Sequence, residues 1–437
     1  MNSYYHLIRY DGNKDLFCAL EMSIAAQTNN VPFHIHVEGL RGTGKTTIIR
    51  AAKQILPPIA RIKNCIYNCH PDAPHCPEHR NLSQKQVQAI GIEILPCPFL
   101  EISHAAKVGT VIGSIDIGKL TDRNNSIAAL LPGTIPQAHR GIIFIDEINR
   151  LADTSPELAD VLLDVMGTKP GRVQIEETGL PTVDFPVSVS IWAASNPDEE
   201  PGSLVQIRKQ LADRFDVMVS MGRPNNHQAV YDILNHSTGN FSSRRELDQL
   251  LVGELETIQI DSTIRKILAA IYIEFGLESL RAVKALESAA SLTTLLSGRR
   301  TITIADIIRV VPLALGHRTD VGTITNIIRY LKNLHDGFED KRDNVINSNI
   351  SEALKVDIKN KENKSWLMMW WDYLRKKLSV RCNNASGKST SAKGGLQMSS
   401  VAKAIDPVGE TMIAPAKRAL PLGQLPDEQL ITVEVKK

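Results

Sequence analysis

The sequence predicts an α/β protein: a parallel sheet with helices on both faces, then an all-helical lid, then a low-complexity tail. Three observations carry this. Over residues 1–222, short apolar runs at Phe33–Val37, Phe99–Ile102, Gly141–Ile145 and Val187–Ala194 alternate with helix-like stretches, as strands buried on both faces require. Over 223–320, apolar residues recur at three- and four-residue spacing. From 321 onward Asn, Lys and Ser predominate, with a Ser/Gly/Lys linker at Asn384–Gly395.

The first strand runs into Gly39-Leu-Arg-Gly42-Thr43-Gly44-Lys45-Thr46-Thr47, which matches the phosphate-binding pattern Gly-x-x-x-x-Gly-Lys-[Ser/Thr]. Its glycines let successive backbone N–H groups converge on phosphate at a helix N-terminus, where the helix dipole favours negative charge. Thr46–Leu56 reads as that helix, stopped by Pro57-Pro58. Lys45 is expected to reach the β- and γ-phosphates, and Thr46 to ligate Mg²⁺ through its hydroxyl. The run Gly141–Ile145 ends on Asp146-Glu147: Asp146 to hold the same ion, Glu147 to polarise the attacking water. The run Val187–Ala194 ends on Ser195-Asn196, where Asn196 is the expected sensor of the γ-phosphate and Ser195 its alternative. Together these residues imply nucleoside-triphosphate hydrolysis.

Between the loop helix and the second strand lies Cys65-Ile-Tyr-Asn-Cys69-His70-Pro-Asp-Ala-Pro-His75-Cys76-Pro-Glu-His79, an insertion at about 63–80. Thiols and imidazoles recur there at spacings that suit one tetrahedral ion, and the prolines fix turns. Cys65, Cys69, Cys76 and His79 are the expected structural zinc ligands, with His70 and His75 as substitutes for the fourth. Six cysteines in a chain of 437 residues do not make a disulfide framework.

In the helical region, Asp261–Phe275, Leu280–Ser297 and Ile304–Leu315 carry the periodicity, with Ser279 and Thr303 as candidate caps. In the tail, Ser365–Leu378 reads as one helix with Trp366, Met369, Trp370 and Tyr373 near one face. Packing on the lid, a partner groove and a membrane surface are its three readings. A formal net charge of +2 gives no bulk drive towards nucleic acid or anionic membrane. No run of about eighteen apolar residues occurs and the N-terminus lacks a basic-then-apolar leader pattern, so a cytoplasmic protein is expected.

Beyond the nucleotide motifs, the chain carries Val111-Ile-Gly-Ser-Ile-Asp116-Ile, Pro132-Gly-Thr-Ile-Pro-Gln-Ala-His139-Arg140-Gly, Leu162-Leu-Asp164-Val, Asn196-Pro-Asp-Glu199 and Leu211-Ala-Asp-Arg214-Phe215. With these it resembles, from about Tyr5 to Arg318, the AAA+ ATPase subunit of magnesium chelatase and its helix-2-insert relatives, which include ATPases of the methanol-dehydrogenase-regulator type. The resemblance implies a ring, a hexamer being the candidate size, with hairpin inserts at about 104–120 and 171–186. It also implies that Arg214 is the finger given to a neighbour's nucleotide, with Arg208 as rival, and that Arg281 is the second sensor. A guanidinium beside the transferring phosphoryl stabilises its spread charge. The Cys/His insertion and the tail depart from the family pattern. The tail also lacks the Asp-x-Ser-x-Ser motif of an integrin-type (VWA) domain, so a separate VWA-domain subunit is the expected partner. The implied activity is an ATPase motor that remodels a partner chelatase or metalloenzyme. A slow-hydrolysing regulatory scaffold and a nucleic-acid remodeller are the alternatives, the latter disfavoured by the near-neutral charge.

Overall fold

Strands rich in Ile, Val and Phe with no polar face can only be stable between two layers, and that is how this chain uses them. In the computed structural model, residues 4–115, 130–175, 182–235 and 253–336 are described. They contain β1 (Ile35–Gly39), β2 (Ile59–Ile62), β3 (Ile92–Leu95), β4 (Phe99–Ile102), β5 (Gly113–Ile115), β6 (Leu130–Pro132), β7 (Gly141–Ile145), β8 (Gly171–Ile175), β9 (Val183–Val187), β10 (Val189–Ser195) and β11 (Val217–Met221). Five form the main sheet in the order β11-β1-β10-β7-β4, every pair parallel.

Period-two alternation divides the sheet between two cores. Ile142, Phe144 and Trp192 face one, with Leu16, Phe17 and Leu20 of the helix Lys14–Thr28 and the apolar stripes of the helices Ser262–Glu274, Leu280–Leu296 and Ile304–Leu315. Ile143, Ile145 and Ile191 face the other, with Leu151, Leu158, Leu162 and Phe215. Trp192 Nε1 donates to Ser23 Oγ at 2.9 Å, which satisfies the one polar atom of the largest buried ring. Ser279 and Thr303 cap their helices as expected, Thr303 in a capping box with Asp306.

The strands expected at Phe99–Ile102 and Gly141–Ile145 have those bounds, while Val187–Ala194 is divided: Val187 closes β9 and β10 begins at Val189. The loop helix is α-helical over Lys45–Ala52 and ends in a 3-10 turn at Lys53–Ile55. The Cys/His stretch sits in a larger frame than expected, because β2 and β3 pair antiparallel and close residues 59–95 into a module. The second insert is a hairpin, β8 with β9. In the first, β5 pairs with β6, so its returning strand lies beyond the expected limit of 120. The tail expected from 321 is corrected at its start. Residues 321–336 are helical, and Ile327 and Leu331 are fully buried in the lid core. The aromatic segment at 365–378 lies outside the described residues. Among the described residues, no helix is long and apolar enough to cross a membrane.

Candidate active site

Parallel order brings the C-terminal ends of β1, β10 and β7 together, the edge at which open α/β sheets bind ligands. The loop after β1 turns through Gly42 and Gly44, whose φ angles of 76° and 92° are strained for any residue with a Cβ. This turn delivers Lys45 as first residue of its helix, only 6% exposed. Its ammonium donates to Gly39 O (2.5 Å), Leu40 O (2.8 Å) and Asn196 Oδ1 (2.7 Å). Burial pulls its pKa down from the ordinary lysine value, and the charges of Asp146 and Glu199 oppose that. Thr46 Oγ1 donates to Asp146 Oδ2 at 3.0 Å. Three segments far apart in sequence thus meet through two side-chain hydrogen bonds, Lys45 to Asn196 and Thr46 to Asp146. Thr43 Oγ1 closes the loop on Leu40 O, and Thr47 points to solvent.

Glu147 takes a left-handed conformation (φ 54°) at the head of the helix Ile148–Thr154. Its carboxylate pairs with Arg150 at 3.2 Å; Arg150 also faces Glu199 at 3.6 Å, and Glu199 pairs with Arg41 of the loop at 2.9 Å. Ser195, the alternative sensor, is occupied elsewhere: its hydroxyl meets His36 Nε2 at 2.8 Å, tying β10 to β1. Buried Asn149 donates to Gly202 O at 3.0 Å and keeps Oδ1 unpartnered. The sequence reading assigned nothing to Asn149, Arg150 or His36. Asn149 had a local signal, three residues after Asp146 in the first turn of the helix that follows.

The arginines stand apart from this group. Arg281 pairs with Asp213 at 3.6 Å, and Arg214 lies against Gly167 and near Asp164 and Arg281, with its Nε buried and unpartnered. Neither shares a partner with Lys45, Thr46 or Asp146. Arg208, the rival, is held by Asp160 at 3.0 Å.

In the module, ligand atoms of Cys65, Cys69, Cys76 and His79 all lie within 4.8 Å of one another. All three cysteines are buried. Hydrogen bonds from Cys69 and Cys76 hold the Cys65 thiol well below its usual range. The backbone N–H groups of His75 and Cys76 both donate to Cys69 Sγ at 3.3 Å, as they would to a thiolate. His75 Nδ1 meets Cys69 Sγ at 3.3 Å and its ring stacks on His139 at 3.7 Å, while His70 is bonded through Nδ1 to Asp72 N; neither belongs to the set of four. The module is pinned to the sheet by Arg140 to Ala60 O (2.5 Å), Asn68 to Gln137 O (2.6 Å) and Tyr67 edge-on to Phe185 of β9.

Residues 10–212 match the family model of magnesium chelatase, subunit ChlI, and residues 265–325 match the AAA lid domain. The magnesium-chelatase 38 kDa subunit of Acidiphilium rubrum is 30% identical over 297 residues, 64% of this chain and 81% of that one. The chloroplastic magnesium-chelatase subunit ChlI-2 of Arabidopsis thaliana is 29% identical over 301 residues, 65% of this chain and 68% of that one. A cryo-EM-based structure of the complex between subunits BchI and BchD of magnesium chelatase aligns with a TM-score of 0.38 and 23% identity, covering 72% of this chain and 94% of that one. By its phosphate loop, its lid and these relatives, the chain belongs to the magnesium-chelatase ATPase-subunit-like family of AAA+ proteins.

Proposed function

We propose that this chain is an ATP-driven motor subunit whose active sites form between copies in a ring, and that its turnover remodels a partner chelatase or metalloenzyme complex. The observation that carries the reading is the convergence of Lys45 on Asn196 and of Thr46 on Asp146 at one sheet edge. With ATP bound, Lys45 would exchange its carbonyl partners for β- and γ-phosphate oxygens, and Thr46 and Asp146 would hold Mg²⁺, which would supply neutralisation of phosphate charge. Glu147 polarises the attacking water, and Asn196 orients it beside the γ-phosphate. Gly39, Gly42, Thr43, Gly44 and Thr47 complete the loop around the phosphates. Arg214 suits a neighbouring copy's nucleotide as the finger, and Arg281 suits the second sensor carried by the lid. Arg281, paired with Asp213, lies near Arg214, which is compatible with the roles of second sensor and finger.

Cys65, Cys69, Cys76 and His79 fit a structural zinc, the donor set and the two N–H···S bonds to Cys69 both supporting it. The bound ion would cross-link a module too small to hold itself by apolar burial alone. A separate VWA-domain subunit is the proposed partner, by analogy with the relatives' chelatase.

The test is a Glu147→Gln variant of the full chain. ATP binding is expected to persist while turnover falls by about two orders of magnitude or more. Wild-type turnover in that variant, or a monomer by light scattering at micromolar concentration with ATP, overturns the reading. The same variant, trapped with ATP, is the bait for the partner: recovery of a VWA-domain subunit is expected, and recovery of DNA in its place contradicts it.

A further inference from the structure

We infer that Arg318 is the positioning residue of the finger: from the lid it fixes the backbone on both sides of Arg214 and so sets how that guanidinium is presented to a neighbouring copy. The inference rests on the finger reading of Arg214.

Arg318 lies just past the helix Ile304–Leu315, and its side chain is 6% exposed. A guanidinium carries five N–H donors, and burying one is costly unless each is satisfied. Here every donor has an acceptor. Nε reaches Asp213 Oδ1 at 3.0 Å, Nη1 reaches Ala314 O (2.5 Å) and Asp216 O (3.3 Å), and Nη2 reaches Asp213 O (2.8 Å) and Phe215 O (2.7 Å). Four of the five acceptors belong to residues 213–216, the turn between the helix Lys209–Ala212 and β11.

Neighbouring groups complete the clamp. His317 Nε2 meets Phe215 O at 3.2 Å, and Asp216 is gripped from the other side by Lys169 at 2.7 Å and by His34 N at 2.8 Å. Residues 213, 215 and 216 are therefore fixed while the Arg214 Nε has no partner. The base of the side chain is anchored, and its guanidinium, packed against Gly167, keeps that buried Nε unpartnered. Since the anchor belongs to the lid, any shift of that helix end is transmitted to residue 214. Lysine cannot reproduce the forked geometry that reaches three backbone carbonyls of the turn together.

The experiment is subunit mixing with full-length protein. Arg318→Gln alone is expected to lose between about tenfold and a hundredfold in turnover, the scale of a misplaced catalytic group, with ATP affinity within about twofold of wild type. Glu147→Gln alone is inactive in its own pocket but offers an undisturbed finger. Equal mixing should return turnover to about a quarter of wild type, since half the pockets are intact and half of those face a sound finger. A purely structural defect in Arg318→Gln would show no recovery. Asp213→Asn, at a partly exposed position, removes the charge that faces Arg318 Nε and Arg281 but keeps an acceptor oxygen, and should show a smaller loss with the same rescue. Arg214→Ala separates the two ideas. If it is not rescued by Glu147→Gln, the finger reading falls and the inference with it. If it is rescued while Arg318→Gln and Asp213→Asn are not, the finger stands and Arg318 is not what positions it.

Discussion

Acid should destabilise this protein through two buried histidines, one just before β1 and one within it. His34, which accepts from Ile191 N, and His36, which meets Ser195 Oγ, both tie β1 to β10 and are essentially without solvent exposure. Burial depresses both from an ordinary 6.5 to about 3; for His34 the charge of Asp216 works against that shift and Lys169 with it. For His36 the facing groups are Ser195 Oγ at 2.8 Å and Glu38 at 4.0 Å, with His317 across Phe215. Between pH 6.5 and 3 the unfolded chain binds a proton at each site and the folded chain does not, so stability is full above the unfolded value and is lost as pH falls. At pH 5 the difference is about 2 kcal/mol per histidine, or about 4 kcal/mol for the pair, against a typical total of about 5–15 kcal/mol. The assay is urea unfolding at pH 7.5, 6 and 5 of wild type and of His36→Gln, whose amide can still reach Ser195. The variant is expected to be less stable at pH 7.5 but to lose about 2 kcal/mol less than wild type on going to pH 5. Parallel stability-versus-pH curves for the two proteins would refute the reasoning, because His36 would then not be a group that folding keeps uncharged.

Three further outcomes follow from the site. Protein purified without chelator should carry about one zinc per chain by elemental analysis, and Cys76→Ser should carry little while losing much of the module's share of stability, since structural zinc sites contribute on the order of 10 kcal/mol; wild type below half an equivalent would remove the site. Asn196→Ala should bind ATP with nearly unchanged affinity yet turn over about tenfold to a hundredfold more slowly, the range for losing one group that orients or stabilises the reacting centre; a rise in KM alone would reassign Asn196 to ground-state binding. Arg214→Ala should lose turnover severalfold or more with binding intact, whereas Arg208→Ala, which breaks only the partly exposed pair with Asp160, should change it by less than about twofold; the reverse pattern would move the finger to Arg208.

The parts of the site legible in the sequence were those whose geometry is set by neighbours along the chain. The phosphate loop is nine consecutive residues, Asp146 and Glu147 end an unbroken apolar strand, and the proposed zinc ligands fall within fifteen residues, so spacing alone suffices. One strand went unassigned and one helical stretch was given to the tail, although both have a readable period. β11 alternates buried Val217, Val219 and Met221 with Met218 and Ser220, a readable edge strand. Ile324, Ile327, Ile328, Leu331 and Leu334 recur at helical spacing through the stretch assigned to the tail. The frame of the Cys/His module was illegible for a different reason: β2 is closed by β3 some thirty residues on, and the pins come from Gln137, Arg140 and Phe185.

The same distinction explains why Arg318 carries no signal in the sequence although it is among the most fully bonded side chains of the site. A motif records what consecutive residues do to a ligand. A buried guanidinium records what a turn about a hundred residues away cannot do for itself, namely satisfy its own carbonyls where no strand or helix partner is available. For a nucleotide site completed by a neighbouring copy, that second kind of residue decides whether hydrolysis answers to assembly. On the proposed reading, Lys45 meets phosphate within one subunit, whereas Arg214 depends on the lid residue Arg318 that holds its turn.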